Sequence, residues 1–226
     1  MHTLIVTGGA LDYTFAKEYC KTLSYDKVFA VDMGLEYVHN LAMIPDMIIG
    51  DFDTVDGSLL MEYEQQIAVG RLDTVLERYP AKKDATDTEL ALLKAIEMGT
   101  DEITLLAGTG SRLDHVLMNM NLLLQAEEAG IVCFMVDATN RIQLLSDHTR
   151  KNTVISKKKQ HGRYLSIIPA APIVTGLTIE GVAYPLNDGQ ICQGSSMTVS
   201  NYIVDDVAQI SLNQGCVWVI ESKDRP

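Results

Sequence analysis

Three short segments of the sequence carry residue types able to grip phosphate through a metal ion. The sharpest is Asp51-Phe52-Asp53, which ends the apolar run Met47-Ile48-Ile49-Gly50. Side chains alternate along an extended backbone, so both carboxylates are expected on one side, about 6–7 Å apart. Two hard oxygen ligands at that spacing suit one Mg²⁺, or two held through waters. Asp32 and Asp137 end two other apolar runs. Acids at strand ends also cap the helices that follow, so this pair alone leaves capping and metal binding both open.

The second segment is Lys83-Asp84-Ala85-Thr86-Asp87. It offers two more carboxylates, a hydroxyl, a cation and the free N–H groups expected where a helix begins, which attract phosphate. Capping explains Asp84 or Asp87 singly, but not both together with the acid pair of the preceding strand. The third segment is Gly108-Thr109-Gly110-Ser111-Arg112-Leu113-Asp114-His115. Its glycines allow close backbone approach to phosphate, and Arg112 is placed to stabilise charge on a transferring group. On a helical wheel Arg112, His115 and Asn119 fall within ~60° of one another. Asp114 points elsewhere if helical and is a candidate N-cap. The segment is neither a Walker A nor a G-x-G-x-x-G motif.

These segments need elements to position them. Short apolar runs at Leu4–Thr7, Val28–Val31, Met47–Ile49, Ile103–Leu106 and Ile131–Val136 alternate with helical patterns, as in a parallel sheet covered on both faces. A segment with helical spacing follows Gly8-Gly9 to about Tyr25, and helices are expected from Thr86 (capping-box spacing with Glu89) to before Gly99 and over Leu113–Glu128. Ligands in such sheets collect at the carboxyl ends of the strands, where the acids and glycines above lie. After about Leu145 the helical period fades into short β-rich runs, at Thr153–Ile155, Tyr164–Ile168, Leu177–Ile179, Met197–Val199, Val207–Leu212 and Val217–Ile220. The sequence therefore reads as a Rossmann-like α/β domain over residues 1–144 and an all-β sandwich domain over 145–226. Lys157-Lys158-Lys159 is expected in a solvated loop.

Composition narrows the function. The 226 residues hold 18 Lys and Arg against 30 Asp and Glu, a formal net charge of −12, with 47% apolar residues. This suits a folded globular protein and argues against nonspecific nucleic-acid binding. No run of ~18 apolar residues is present, so no membrane span is expected. The start of the chain lacks the basic region of a signal peptide, and the four scattered cysteines fit a reducing cytoplasm as buried thiols.

Taken together, the segments resemble the thiamine pyrophosphokinase family. Its acid-glycine pair and P-apolar-G-D-F-D-S run look like Asp32-Met33-Gly34 and Pro45 to Thr54. Its D-x-T-D matches Asp84 to Asp87, and its G-x-R-x-D-H-x-x-x-N matches Gly110 to Asn119. A G-x-x-Y-P-L run and a late S-N pair match Gly181 to Leu186 and Ser200-Asn201. Met33, Thr54 and Ser111 depart mildly from the pattern. The resemblance implies a homodimer with a site between the α/β domain of one subunit and the β domain of the other. It implies transfer of the pyrophosphoryl group of ATP to the hydroxyl of thiamine, leaving AMP. It implies Asp51, Asp53 and Asp87 on Mg²⁺, with Asp32, Gly34, Lys83, Thr86, Gly110, Arg112, His115 and Asn119 around ATP. Tyr184, Ser200 and Asn201 would meet thiamine, and Asp84 or Asp114 would accept the hydroxyl proton.

Two other readings stay open on the residues alone. Met47 to Val55 also looks like the D-x-D-x-[TV] signature of haloacid-dehalogenase-type phosphatases, with Asp51 as nucleophile. A non-catalytic module binding Mg-nucleotide is the second.

Overall fold

The computed structural model describes residues 1–224. The chain divides into two compact units between Leu122 and Leu123. The first unit alternates strand and helix: β1 (His2–Val6), α1 (Tyr13–Thr22), β2 (Lys27–Val31), α2 (Gly34–Asn40), β3 (Met47–Gly50), α3 (Gly57–Ala68), β4 (Val75–Arg78), α4 (Asp87–Glu97) and β5 (Glu102–Leu106). Helix α5 (Leu113–Glu128) runs across the division.

The strands of the first unit lie in the order β4-β3-β2-β1-β5, every pair parallel. Each of β1, β2 and β5 is buried along its last four residues, as two-faced cover by helices demands. The continuous apolar run that identifies them is missing from β4, an edge strand whose Val75 is 51% exposed. That is why Val75-Leu76-Glu77-Arg78 does not read as a strand in the sequence. Helices α2 and α3 are equally unmarked there. Helix α4 starts as its sequence dictates: Thr86 is the N-cap, its hydroxyl accepting from the Glu89 N–H at 3.2 Å, and Gly99 follows the end with φ +77°.

The order of strands reverses direction at β1, which has β2 on one side and β5 on the other. The loops leaving β1 and β5 therefore lie at the switch point of the sheet, where ligands collect in such folds. Both loops are glycine-rich in this chain.

The second unit contains β6 (Val132–Val136), β7 (Asn140–Ser146), β8 (Asn152–Ser156), β9 (Tyr164–Pro169), β10 (Ile173–Glu180), β11 (Leu186–Cys192), β12 (Val207–Ser211) and β13 (Cys216–Ser222). They form two antiparallel arrays, β6-β7-β13-β9 and β11-β10-β12-β8. Alternate residues of both arrays (Leu145, Leu165, Ile167, Val217 and Val219 against Ile155, Leu177, Ile179, Ala208 and Ile210) make one apolar cluster, so the arrays form a sandwich. The α/β architecture followed by a β-sandwich is the one the sequence predicts.

Three details differ from expectation. Met197–Val199 is turn rather than strand, although Thr198 exchanges backbone contact with Ile167. Asp137 closes the β6–β7 hairpin, its carboxylate accepting from the backbone N–H of Thr139 and Asn140 at 2.7 Å each, and serves as a turn residue rather than as a site acid. Cys133 is buried as expected, but Cys192 is exposed. Lys157–Lys159 form a turn, as predicted.

Candidate active site

A cleft of about 790 Å³ opens at the carboxyl ends of the parallel strands, within the size range of a small-molecule site. Its floor is built by loops that fit together without room for side chains. A Cβ on Gly9 would stand 2.2 Å from the Ala107 carbonyl oxygen and 2.3 Å from that of Thr109. The two loops are tied further: Thr7 Oγ1 donates to the Ala107 carbonyl at 2.6 Å, and Ala10 N donates to that of Thr109 at 2.7 Å. Tyr37 Oη donates to the Gly9 carbonyl at 2.7 Å and Asn119 Nδ2 to the Gly108 carbonyl at 2.8 Å. Asn119, 7% exposed, thus sets the shape of the β5–α5 loop.

The strand exits are bent sharply. Asp32, Phe52 and Ala107 follow β2, β3 and β5 with φ of +48°, +62° and +55°. The turn at Phe52 overturns the expectation of an extended Asp51-Phe52-Asp53. The Phe52 ring is buried beneath the Arg78 guanidinium, whose Cζ lies 5.0 Å from the ring centroid. Asp53 N donates to Asp51 Oδ1 at 3.2 Å in a side-chain-closed turn, and both acids still line the cleft.

At the heart of the cleft Lys83 Nζ lies 2.8 Å from Asp87 Oδ2 and 3.8 Å from Asp51 Oδ2. Side-chain exposures are only 13% for Lys83, 12% for Asp87 and 18% for Asp51. Asp87 Oδ1 is buried with no hydrogen-bond donor. Asp32 completes the group: burial, then the neighbouring charges of Asp87 and Asp51, push its carboxyl up to about 7 against the opposing Phe52 N–H and Lys83. Gly50 makes room for it, since a Cβ there would stand 1.9 Å from Asp32 Oδ1.

Among the expected residues, Asp32, Asp51, Asp53, Lys83, Thr86, Asp87, Gly110, Arg112, His115 and Asn119 all line this cleft. Gly34, Asp84 and Asp114 are not among the lining residues. Gly34 is buried with its Cα against β1, where a Cβ would meet the Val6 carbonyl oxygen at 2.0 Å, and it packs α2 onto the sheet. Arg112 precedes α5 and its carbonyl accepts from the Val116 N–H at 3.1 Å, so the backbone cap is Arg112 rather than Asp114. Its exposed guanidinium forks onto Asp114, Nη2–Oδ2 2.6 Å and Nε–Oδ1 3.3 Å. That hydrogen bond holds the Asp114 carboxyl below the usual carboxylate range. Thr7, Gly8, Gly9, Tyr37 and Thr88 also line the cleft and escaped prediction. Gly8-Gly9 directly after a strand was the available signal; Tyr37 and Thr88 carry none.

In the second unit, Tyr184 is 67% exposed and meets Tyr202 edge-on, ring centroids 6.2 Å apart. Asn201 is buried beneath them. Its Oδ1 accepts from the N–H of Tyr184 at 3.0 Å and of Tyr202 at 2.9 Å, and its Nδ2 donates to the Tyr184 carbonyl at 2.8 Å. Ser200 is exposed, with φ +59°.

Comparison with known proteins bears on this arrangement directly. Residues 20–135 match the model of the thiamin pyrophosphokinase catalytic domain, and residues 151–217 match that of the thiamin pyrophosphokinase vitamin B1 binding domain. The chain belongs to the thiamin pyrophosphokinase family. A thiamine pyrophosphokinase of Bacillus subtilis (strain 168) is 32% identical over 194 residues, covering 86% of each chain. The crystal structure of a thiamine pyrophosphokinase from Bacillus subtilis superposes with a TM-score of 0.84 at 28% identity over all of both chains. One from Geobacillus thermodenitrificans gives 0.80 at 28% identity, covering 99% of this chain and 98% of that one. Membership in the thiamin pyrophosphokinase family makes the protein an enzyme, a thiamine diphosphokinase. It sets aside both the dehalogenase-type phosphatase and the non-catalytic module. Among the described residues no helix is long and apolar enough to cross a membrane.

Proposed function

We propose that the enzyme transfers the pyrophosphoryl group of ATP to the hydroxyl of thiamine, giving thiamine diphosphate and AMP, with Mg²⁺ required. The observation that carries this reading is the convergence of Asp51 and Asp87 on a single ammonium, Lys83 Nζ, inside a cleft floored by glycine loops. Two carboxylates from different strand and helix ends reach one point there, and Asp87 keeps a buried oxygen with no donor.

This donor set fits magnesium. Among the described residues no three His, Cys, Asp or Glu side chains group as a metal site. Mg²⁺ takes one or two carboxylates and completes its shell with phosphate oxygens and water, so it needs no protein cage. Asp51 and Asp87 would hold it, with Asp53 next to them. Bound there, the ion would supply charge neutralisation for the triphosphate and Lewis acidity at the phosphoryl group.

The chain's own residues supply the rest. Backbone N–H groups of Gly8 and of the Gly108–Gly110 loop, and those at the start of α4, orient the phosphates, the Gly9 N–H being spent on the Ala107 carbonyl. Thr86 contributes a hydroxyl at that helix end. Arg112 leaves Asp114 to fork onto phosphate oxygens, with His115 beside it. Asp32 and Asn119 support the floor. Asp84 or Asp114 accepts the hydroxyl proton, Asp114 once Arg112 has released it. Tyr184 and Ser200 would contact thiamine, and Asn201 would hold the Tyr184 backbone in place. Residues 1–144 then serve ATP and 145–226 serve thiamine and dimerisation, in a cytoplasmic homodimer whose site needs both subunits.

The test is an assay with ATP, Mg²⁺ and thiamine, resolved for nucleotide products. AMP formed in step with thiamine diphosphate, and abolished by a chelator, supports the proposal. ADP as product would overturn the reaction class.

A further inference from the structure

We infer that Lys83 is a resident counter-ion that occupies the metal position in the empty enzyme and is displaced from it when the divalent cation binds. The inference rests on the Mg²⁺ reading above and goes beyond it, because it assigns Lys83 two positions and makes metal entry a cation exchange.

The geometry argues for exchange rather than coexistence. Lys83 Nζ sits 2.8 Å from Asp87 Oδ2 and 3.8 Å from Asp51 Oδ2, the two carboxylates that would coordinate the ion. Among the described residues, the ion pairs of Asp51 and Asp87 are all with Lys83. Lys83 Nζ is buried yet makes no well-angled hydrogen bond, so it is held by charge rather than by directed contacts. A point charge on a four-carbon stem is suited to such a temporary station. An ion placed between the same oxygens would stand at contact distance from the ammonium, and like charges in a partly desolvated cleft repel strongly. The ammonium must then leave. Lys83 precedes α4 by four residues, so its released head lies beside the helix start where phosphate is expected.

The exchange explains how three neighbouring acids, Asp32, Asp51 and Asp87, are tolerated in a folded protein before any ligand arrives. It also couples the two ligands. Metal drives the ammonium toward phosphate, so each ligand prepares the site for the other.

The experiment measures Mn²⁺ binding to the nucleotide-free enzyme by water-proton relaxation, for the wild type, Lys83→Met and Asp87→Asn. Removal of the competing cation should tighten Mn²⁺ in Lys83→Met by about tenfold, within the usual range of coupling between sites. Asp87→Asn should lose binding. Equal or weaker Mn²⁺ binding in Lys83→Met, with Asp87→Asn still defective, overturns the exchange and leaves the metal site standing. Binding indifferent to Asp87→Asn overturns the metal reading itself. A second measurement needs no variant: in the wild type, saturating Mn²⁺ should speed acylation of the Lys83 amine, followed by peptide mass spectrometry. An unchanged rate at saturation also overturns the exchange.

Discussion

The carboxylate of Asp32 occupies the space that a side chain on Gly50 would need, with only 1.9 Å between Asp32 Oδ1 and an ideal Cβ at Gly50. Position 50 is thus glycine because of a side chain one strand away, at the end of β2. Gly34 is glycine for a different reason, since its missing Cβ would strike the Val6 backbone at 2.0 Å.

The two glycines should therefore fail differently. In Gly50→Ala the short Asp32 side chain swings aside, so kcat/KM falls while the melting temperature moves little. In Gly34→Ala the obstacle is main chain, which cannot yield, and stability should drop by about 1–3 kcal/mol. Denaturant titration and steady-state kinetics on both variants separate the cases; equal stability losses would contradict the assignment.

Asp87→Asn should lower turnover by about a hundredfold or more while circular dichroism stays that of the wild type, because a needed charge is lost from a folded cleft. Asp53→Ala should likewise remove activity. Near-parental turnover of either at saturating Mg²⁺ would take that acid out of the metal site.

Arg112→Lys should reduce kcat although the charge is kept, since an ammonium cannot reproduce a planar fork on phosphate. The guanidinium is exposed and paired with Asp114, so folding stability should not change. An unaltered kcat removes Arg112 from the chemistry.

Asn201→Ala leaves the backbone N–H groups of Tyr184 and Tyr202 without their acceptor. A stability loss of about 2–4 kcal/mol is expected, together with a raised KM for thiamine and an unchanged KM for ATP. A variant affecting both substrates equally would show that Asn201 does not act through the Tyr184 segment.

The β-sandwich should report its own pH dependence. Burial raises the carboxyl of Glu221, which is 2% exposed, above its ordinary value. An acid raised on folding stabilises the native state most below its unfolded pKa, and that contribution fades as pH climbs through the folded value. His161, whose N–H donates to Glu221 Oε2 at 2.8 Å, is lowered by burial and acts oppositely, stabilising above its unfolded pKa. The difference in unfolding free energy between wild type and Glu221→Gln isolates the first effect. It should shift in favour of the variant as pH rises from about 4.5 toward neutrality, and a flat difference would refute the assignment.

Much of this was legible in the sequence because two-faced burial writes itself as apolar runs, and glycines and acids mark where such runs end. Strands β1, β2, β3 and β5 and helices α4 and α5 were readable for that reason. Strand β4 and helix α3 were not, because an edge strand and a half-exposed helix lack a continuous apolar face. The acids of the cleft were found by type and place, yet their geometry was not: the left-handed turn at Phe52 depends on the burial of its ring under Arg78, a contact between residues 26 positions apart. Tyr37 reaches the cleft through a bond to the Gly9 carbonyl that no local pattern announces.

The left-handed exits at Asp32, Phe52 and Ala107 carry a cost. Each places a residue with a Cβ where glycine is at ease, at about 1 kcal/mol or more apiece. Replacing Ala107 by glycine is an available route to a sturdier molecule, and it would slacken the floor of the cleft, where Thr7 and Gly9 donate to its carbonyl. Thermal endurance and catalytic poise are opposed at this corner, so laboratory selection for heat resistance alone should drift toward glycine at Ala107 and toward a slower enzyme, while Phe52, whose buried ring outweighs the strain, should stay.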